Sequence, residues 1–209
     1  MVKSRFAVFG TGRYGAQIAL SLAKRGAEVY TFDIKPERAE LLKEDVALAI
    51  TLDATNKRAL KAQSVQDMEA AVVAIGENFE ATVLTTLNLL DLGIPRIIVR
   101  ANDRNQHRIL KSLGVKEILS PESEVAEVVS ERLINPSIRG FLQLPDEYEI
   151  AEIKAPPNCF GRTLKDIALS SRYALRLITI RREFQEIIDG ETTITEHIIG
   201  LPQMDTEIQ

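Results

Sequence analysis

The sequence predicts an α/β protein, with a doubly wound, Rossmann-like parallel sheet followed by a small α+β lobe. Short apolar runs alternate with helical patterns from residue 5 to residue 133. Several of these runs are apolar throughout, as is typical of parallel strands buried on both faces. A G-x-G-x-x-G turn, from Gly10 to Gly15, joins the first run to the first helix. Six βα units in succession favour a doubly wound sheet.

The elements of this sheet follow from the local patterns. Strands are predicted at residues 6–9, 28–32, 47–51, 71–75, 97–100 and 117–119. Helical patterns fill the gaps, and the clearest cover residues 14–25, 79–92, 105–113 and 121–133. A further helix begins at Pro36, a residue favoured in the first turn. Gly26, Gly93 and Gly114 follow three of the helices and are typical C-terminal stops.

The pattern changes after residue 133. Residues 134–147 contain two prolines and a glycine, which predicts a linker or crossover. Further elements are predicted as strands at 148–154, 175–180 and 184–188, a helix near 163–169 and a turn at 189–192. Thr163, with Asp166 three residues on, resembles a capping box. The predicted domains are an N-lobe at 1–133, the linker, and a C-lobe at 148–209.

Composition narrows the class of protein. The formal net charge of −4 argues against nucleic acid as a partner, because phosphate binding needs a basic surface. The single cysteine, Cys159, excludes an internal disulfide and suits a reducing cytoplasm. No apolar run approaches the roughly 20 residues that span a bilayer, and the N-terminus has no signal-peptide core. We expect a soluble protein that could still dock onto a membrane protein.

The glycine turn has the context of a nucleotide site. Gly10 allows the tight turn, Gly12 lets the backbone approach a pyrophosphate, and Gly15 lets the helix pack closely on the strand. The helix that follows presents free N–H groups and a positive dipole end to phosphates. The alternative is a glycine turn that binds nothing.

Polar residues at the ends of later strands extend this site. Asp33 stands where a carboxylate accepts hydrogen bonds from ribose hydroxyls and repels the 2′-phosphate of NADP, or else it is an ordinary strand-end cap. The third strand is followed by Asp53, Ala54 and Thr55, and the fourth by Ala74, Ile75, Gly76, Glu77 and Asn78. Ligands bind at such carboxyl ends, although Asp53 and Thr55 could equally cap the third helix.

The groups that a dehydrogenase needs are not evident. Hydride transfer requires a proton donor or acceptor beside the nicotinamide. The two histidines, His107 and His197, fit surface or packing positions better, and no tyrosine is part of a Tyr-x-x-x-Lys motif. The sequence has neither a Walker-A loop nor a Cys/His cluster for zinc. A nucleotide site without catalytic groups favours a nucleotide that acts as a signal.

Seven segments, in order along nearly the whole chain, point to a known family. They are VFGTGRYG, TFDI, LDAT, VVAIGEN, TTLNLLDLGIPRIIVRA, LGVKEILSPE and FGRTLKDI. Together they resemble the RCK domains (regulator of conductance of potassium) of the regulatory subunits of bacterial potassium uptake systems, the KtrA/TrkA type. The absence of a tandem duplication fits the single-copy, KtrA-like arrangement better.

The resemblance implies a nucleotide-gated subunit at the cytoplasmic face of the cell membrane. It implies a Rossmann-type N-lobe, a crossover helix and a small C-lobe. It also implies homodimers that assemble into an octameric ring beneath a membrane pore subunit that translocates potassium. The nucleotides bound in the family include NAD(H), ATP and ADP. The C-lobes of some members bind cyclic di-AMP between subunits.

The resemblance also assigns residues. Gly10, Gly12, Gly15 and Asp33 fall on the family's nucleotide site, and the further positions implied there are Thr11, Arg13, Tyr14, Ile34 and Arg100. Glu122 matches an acidic position that holds Mg²⁺ or another cation near the terminal phosphate in some members.

One departure and two alternatives stay open at this point. The family usually continues past MDTEIQ with a further turn and strand, so we expect an incomplete C-lobe, which leaves cyclic di-AMP binding in question. The alternatives to a potassium transporter subunit are a small NAD-dependent oxidoreductase and an RCK-type regulator of another cation transporter or antiporter.

Overall fold

The computed structural model describes residues 4–144, 146, 148–188 and 191–209. The chain divides into two compact units, Met1–Ala126 and Glu127–Gln209, and each is described by itself. This division falls inside a helix, and the predicted functional boundaries at 133 and 147 stay predictions. Among the described residues, no helix is both long enough and apolar enough to cross a membrane.

The first unit is a six-stranded parallel sheet with the order β3-β2-β1-β4-β5-β6. Its strands are β1 (Arg5–Phe9), β2 (Glu28–Asp33), β3 (Leu48–Thr51), β4 (Ala70–Val73), β5 (Ile97–Arg100) and β6 (Glu117–Leu119). This order is that of a Rossmann-like, doubly wound sheet, so the predicted fold class is confirmed. The predicted strands lie within two residues of the observed bounds.

Helices connect the strands. They are α1 (Arg13–Lys24), α2 (Pro36–Glu40), α3 (Lys57–Ala62), α4 (Phe79–Asp91), α5 (Arg104–Ser112) and α6 (Pro121–Ile134). Side-chain caps begin three of them, because Asn56, Asn78 and Asp103 each accept backbone N–H groups of the first turn.

Alternating strand side chains fill the two faces of the sheet. Ala7 and Phe9 of β1 face one apolar layer, and the ring of Phe9 stacks on that of Phe32 at 5.0 Å. Val8 faces the opposite layer, together with Ala19 of α1. Because both faces are covered at the centre of the sheet, β4 is apolar and buried throughout, as is typical of a central parallel strand.

The second unit contains two separate antiparallel hairpins and two short helices. Its elements are β7 (Ile138–Gln143), β8 (Glu149–Ile153), α7 (Leu164–Ile167), α8 (Leu169–Tyr173), β9 (Ile180–Ile188) and β10 (Glu191–Ile199). Ion pairs join the two hairpins, from Arg139 to Glu183 and from Arg181 to Glu152. Leu164 and Ile167 are the buried apolar residues among those described in this unit.

Two sequence predictions for this unit differ from the structure. Residues 134–147, predicted as a linker or crossover, contain the strand β7. The strand was missed because the register shifts between Ile138 and Gly140, a bulge that glycine accommodates. Residues 175–179 are not a strand, since the ladder with β10 begins at Ile180 and Ile199.

The predicted turn at 189–192 is wrong in part. Residues 191 and 192 belong to β10, a strand that was not predicted, whereas 189 and 190 lie outside the described residues. The capping box was predicted correctly. The hydroxyl oxygen of Thr163 accepts the N–H of Asp166 at 3.2 Å and donates to its carboxylate at 2.7 Å.

Candidate nucleotide-binding site

The glycine loop lies where the order of the sheet reverses. The strands β1 and β4 are neighbours, but the helices that follow them cover opposite faces: α1 packs on the layer of Val8 and α4 on that of Phe9. The loops after β1 and β4 therefore diverge and leave a crevice at the carboxyl ends of the strands. This crevice is where ligands bind in open α/β sheets.

Gly10 and Gly15 are required by close packing. Gly10 has a φ of +84°, and a Cβ built there would lie 2.9 Å from the backbone nitrogen of Ile75. A Cβ at Gly15 would overlap the carbonyl oxygen of Gly10. These two glycines therefore hold α1 tightly against β1 and the loop after β4.

Gly12 differs from both, since a Cβ there would overlap no other atom. It is the N-cap of α1, and a Cβ built on it would lie 3.7 Å from the nearest heavy atom, a guanidinium nitrogen of Arg38. The first N–H groups of a helix have no intrahelical acceptor, so they remain available to an anion. The close packing predicted at Gly10 and Gly15 is thus present, and the approach of a pyrophosphate to Gly12 stays a prediction.

Asp33 anchors the glycine loop to the end of β2. Its Oδ2 accepts the backbone N–H of Thr11 at 2.6 Å and the Thr11 hydroxyl at 3.2 Å. Its Oδ1 accepts the N–H of Lys35 at 2.9 Å. The residue is only 5% exposed. The carboxylate therefore holds the loop in shape, and a ribose hydroxyl would have to share it.

Two charged side chains beside Asp33, Lys35 and Arg38, were missed by the sequence analysis. Arg38 and Lys35 of the β2–α2 segment both contact the carboxylate of Glu77, at 2.9 and 3.3 Å. Arg38 also lies 3.6 Å from Oδ2 of Asp33. Hydrogen bonds, first from Arg38 and then from Lys35, lower the pKa of Glu77, which is therefore ionised at neutral pH. Their charges are visible in the sequence, but not their convergence from segments about 40 residues apart.

The end of β3 is held by local hydrogen bonds. Asp53 accepts both the N–H and the hydroxyl of Thr55, at 2.9 and 2.7 Å, and both residues lie outside α3, whose N-cap is Asn56. The alternative in which Asp53 or Thr55 caps that helix is therefore wrong. Ala54 is buried, and its carbonyl accepts a hydrogen bond from Asn88 of α4.

The end of β4 forms the other wall of the crevice. Ile75 packs against Gly10, and its carbonyl accepts the hydroxyl of Thr82 at 3.0 Å. Ala74 is buried beneath the turn. Asn78 caps α4 by accepting the N–H of Ala81 at 3.0 Å, so its side-chain oxygen already has a local partner.

Arg100 is held at the same edge of the sheet. Its guanidinium forms an ion pair with Glu122 and lies 5.5 Å above the ring of Tyr14. It also lies close to Gly76, where a Cβ would be 3.1 Å from one of its nitrogens. Burial raises the pKa of Tyr14, and the charge of Glu124 adds to this shift, so its hydroxyl stays protonated at neutral pH. The structure brings the predicted Arg100, Glu122 and Tyr14 together.

The remaining predicted residues line the mouth of the crevice. Arg13 is exposed at the first residue of α1, and Ile34 is 65% exposed directly after β2. Asn102 was not predicted, although its side chain donates to the carbonyl of Gly76 at 2.7 Å and ties the loops after β4 and β5 together. His107 lies in α5 and His197 in β10, so neither lies in the loops that form the crevice.

The family of the chain follows from its sequence. The TrkA-N domain model matches residues 6–121, more than half of the chain. The chain belongs to the TrkA-N domain family. It is 30% identical over 196 residues to Ktr system potassium uptake protein C of Bacillus subtilis, covering 94% of this chain and 89% of that protein. Its identity to Ktr system potassium uptake protein A of the same organism is 30% over 177 residues, with 85% and 80% covered.

Solved structures of TrkA-N and RCK domains share the fold. The GsuK channel bound to NAD aligns with a TM-score of 0.63 at 14% identity, covering 99% of this chain and 36% of that one. The TrkA-N domain of the Escherichia coli inner membrane protein ybaL aligns with a TM-score of 0.56 at 18% identity, covering 63% and 98%. At these identities the likeness shows the TrkA-N fold alone.

Proposed function

We propose that this TrkA-N chain is a cytoplasmic, nucleotide-binding regulatory subunit that gates a membrane potassium transporter. One observation carries the proposal: the similarity to a Ktr potassium uptake protein extends over 94% of this chain and 89% of that protein. The relatives are thus matched through both units, and not through the nucleotide fold alone. The partner is a membrane subunit that translocates potassium.

The crevice supports a nucleotide as the signal. A glycine loop closed by Gly10 and Gly15, with Gly12 open above the start of α1, suits a diphosphate. Asp33 ends β2 and Arg100 ends β5, so an acceptor for a ribose and a cation for a phosphate would both be at hand. Solved structures of GsuK include one bound to NAD and one bound to ADP. We propose that NAD(H), ATP or ADP occupies this crevice.

We propose that the bound nucleotide regulates transport and is not a substrate for hydride transfer. The two histidines lie outside the loops of the crevice, and Tyr14, the tyrosine within it, is not part of a Tyr-x-x-x-Lys motif. A proton donor or acceptor beside the nicotinamide would be needed for hydride transfer. Turnover of NADH with common aldehydes or keto acids, above the rate in free solution, would overturn this part of the proposal.

A cation at Glu122 belongs to the same proposal. Its carboxylate is paired with Arg100, and the described residues contain no group of three His, Cys, Asp or Glu side chains that could hold a metal. Phosphate oxygens of a bound nucleotide would have to complete the shell, as is common for Mg²⁺. Glu122 would then orient that ion, which would neutralise charge on the terminal phosphate.

We also propose an assembly. Several apolar side chains of α6 and of the second unit are exposed in the single chain, among them Leu133, Phe184 and Ile198. Apolar surface of this kind is often covered by a second subunit. Homodimers that form an octameric ring, and cyclic di-AMP bound at the C-lobe, are the states to test. Light scattering that gives 23.3 kDa, the mass of one chain, would contradict the assembly.

The deciding experiment couples binding to transport. The ligand retained on the purified chain is identified by mass analysis, and its affinity is measured by calorimetry against ATP, ADP and NAD. The chain is then added to vesicles that contain the membrane potassium subunit, and rubidium flux is followed. We expect nucleotide-dependent flux. If the rubidium flux is the same with and without the chain and with and without the nucleotide, the proposal is overturned.

A further inference from the structure

Lys35, Arg38 and Glu77 bridge the loops on either side of the glycine loop. Lys35 and Arg38 follow β2, Glu77 follows β4, and β1 lies between these two strands. The contacts of Glu77 with both cations therefore cross above the turn that follows β1. We refer to these three side chains as the charge clasp.

The charge clasp lies at the place where a diphosphate would bind. A Cβ built on Gly12 would lie 3.7 Å from Nη1 of Arg38 and near no other heavy atom. The same nitrogen is 3.6 Å from Asp33. The Arg38 guanidinium thus lies next to Gly12 at the start of α1, between the carboxylates of Asp33 and Glu77.

The two carboxylates next to Arg38 are held very differently. Asp33 is buried and accepts backbone N–H groups, so it cannot leave. The Glu77 side chain is 71% exposed, and its ion pairs among the described residues are those with Lys35 and Arg38. Exposed ion pairs of this kind are weak and exchange easily with other anions. A diphosphate carries more charge and more acceptor oxygens than one carboxylate, and guanidinium groups bind it in bidentate fashion.

We propose that Arg38 is a diphosphate-binding residue of this site and that Glu77 is an internal competitor which a nucleotide diphosphate displaces from it. The proposal rests on the proposed nucleotide site and adds its specificity: the site selects ligands by their diphosphate. Glu77 lowers the affinity for such ligands, because its contacts with Lys35 and Arg38 must be broken first. Adenosine, which has no phosphate, does not compete with Glu77.

The first test removes the competitor. For Glu77→Gln we expect ADP and NAD to bind about two- to fivefold more tightly in calorimetry, the range that an exposed ion pair supports. The affinity for adenosine, measured by competition, should not change. The matched control is Glu117→Gln, which removes the exposed pair with Arg96 at the amino ends of β5 and β6, the opposite edge of the sheet.

The second test removes the cation. Arg38→Gln should weaken ADP and NAD about tenfold or more and leave adenosine unchanged, because a charge-assisted contact to phosphate is lost. Combined with Glu77→Gln, it should abolish the gain seen in the single variant. Weaker or unchanged ADP binding by Glu77→Gln, with wild-type binding intact, would overturn the charge clasp alone. A wild-type chain that binds neither ATP, ADP nor NAD would overturn the nucleotide site and the clasp together.

Discussion

The backbone N–H of Thr11 donates a 2.6 Å hydrogen bond to Oδ2 of Asp33, although 22 residues separate the two in the chain. The contact joins the glycine loop after β1 to the end of the neighbouring strand β2. It gives Asp33 two roles, because the carboxylate that is predicted to bind ribose also shapes the loop that is predicted to bind phosphate. Mutations of Asp33 therefore affect both the stability of the glycine loop and the binding of the ribose.

Replacement of Asp33 should lower stability and nucleotide affinity together. In Asp33→Ala the Thr11 N–H loses its buried acceptor, which should lower the free energy of unfolding by about 1–3 kcal/mol. Nucleotide affinity should fall at least tenfold. Urea unfolding and calorimetry measure the two effects. Asp91→Ala, which removes an exposed pair with Lys57, is the control and should change stability by no more than about 1 kcal/mol. Unchanged nucleotide affinity in Asp33→Ala would contradict the ribose assignment.

Alanine substitutions at Gly15 and Gly12 should have different effects, the first on stability and the second on ADP affinity. In Gly15→Ala the new methyl group would overlap the carbonyl of Gly10, so we expect a loss of roughly 3 kcal/mol or more, or failure to fold. In Gly12→Ala the methyl group meets no backbone, and the unfolding free energy should change by less than about 1 kcal/mol. Binding of ADP should nevertheless fall, because the methyl group occupies the approach of the diphosphate. Equal ADP affinity in Gly12→Ala would show that the ligand does not pass there.

Arg100 should distinguish nucleotides by their terminal phosphate. Its ion pair with Glu122 places a cation and an anion together at the end of β5. We expect Arg100→Ala to weaken ATP much more than ADP, and Glu122→Gln to remove any dependence of ATP binding on divalent ions. Calorimetry with and without Mg²⁺ measures both. If ATP and ADP lose affinity equally, Arg100 does not contact the terminal phosphate, and the pair with Glu122 is only a surface ion pair.

The capping box of α7 should make the second unit sensitive to acid. Hydrogen bonds from the Thr163 hydroxyl and then from its backbone lower the pKa of Asp166 below its ordinary value of 3.8. A depressed pKa means that the ionised form stabilises the fold. This contribution is complete above pH 3.8 and is lost as the pH falls through the lower folded value. Unfolding of Asp166→Asn followed from pH 6 down to pH 2 should show a shallower acid dependence below pH 3.8 than the wild type. An identical acid dependence would contradict the linkage.

The contribution of the Thr163 cap to stability can also be measured at a single pH. Thr163→Ala removes the acceptor of the Asp166 N–H and should lower stability by about 0.5–2 kcal/mol at neutral pH. Ser171→Ala is the control, since its hydroxyl donates to the carbonyl of Ala168 and caps no helix N-terminus. A Thr163→Ala variant as stable as the wild type would show that the cap contributes nothing.

The sequence by itself determined the sheet, the position of the glycine loop and most of the residues around it. Strands buried on both faces, such as β4, are apolar, and the shorter apolar runs of the other strands alternate with helical patterns, so β1 to β6 could be predicted locally. The glycines could be assigned for a similar reason, because a turn with φ of +84° at Gly10 and helix packing at Gly15 each demand a particular residue at a particular place. Such requirements involve only a few neighbouring residues, so they can be recognised in the local sequence.

Only the tertiary structure decided which of these residues meet. Asp33 could be placed at the end of β2, but its contact with Thr11 depends on β1 and β2 being neighbours. The charge clasp depends in the same way on the order β2-β1-β4, and the pairing of Arg100 with Glu122 on the start of α6 beside β5. Charged side chains are tolerated at many exposed positions, so the local sequence does not predict which other charged residue each one contacts. The sheet order, set by burial of the apolar strands, brings them together and thereby forms the site.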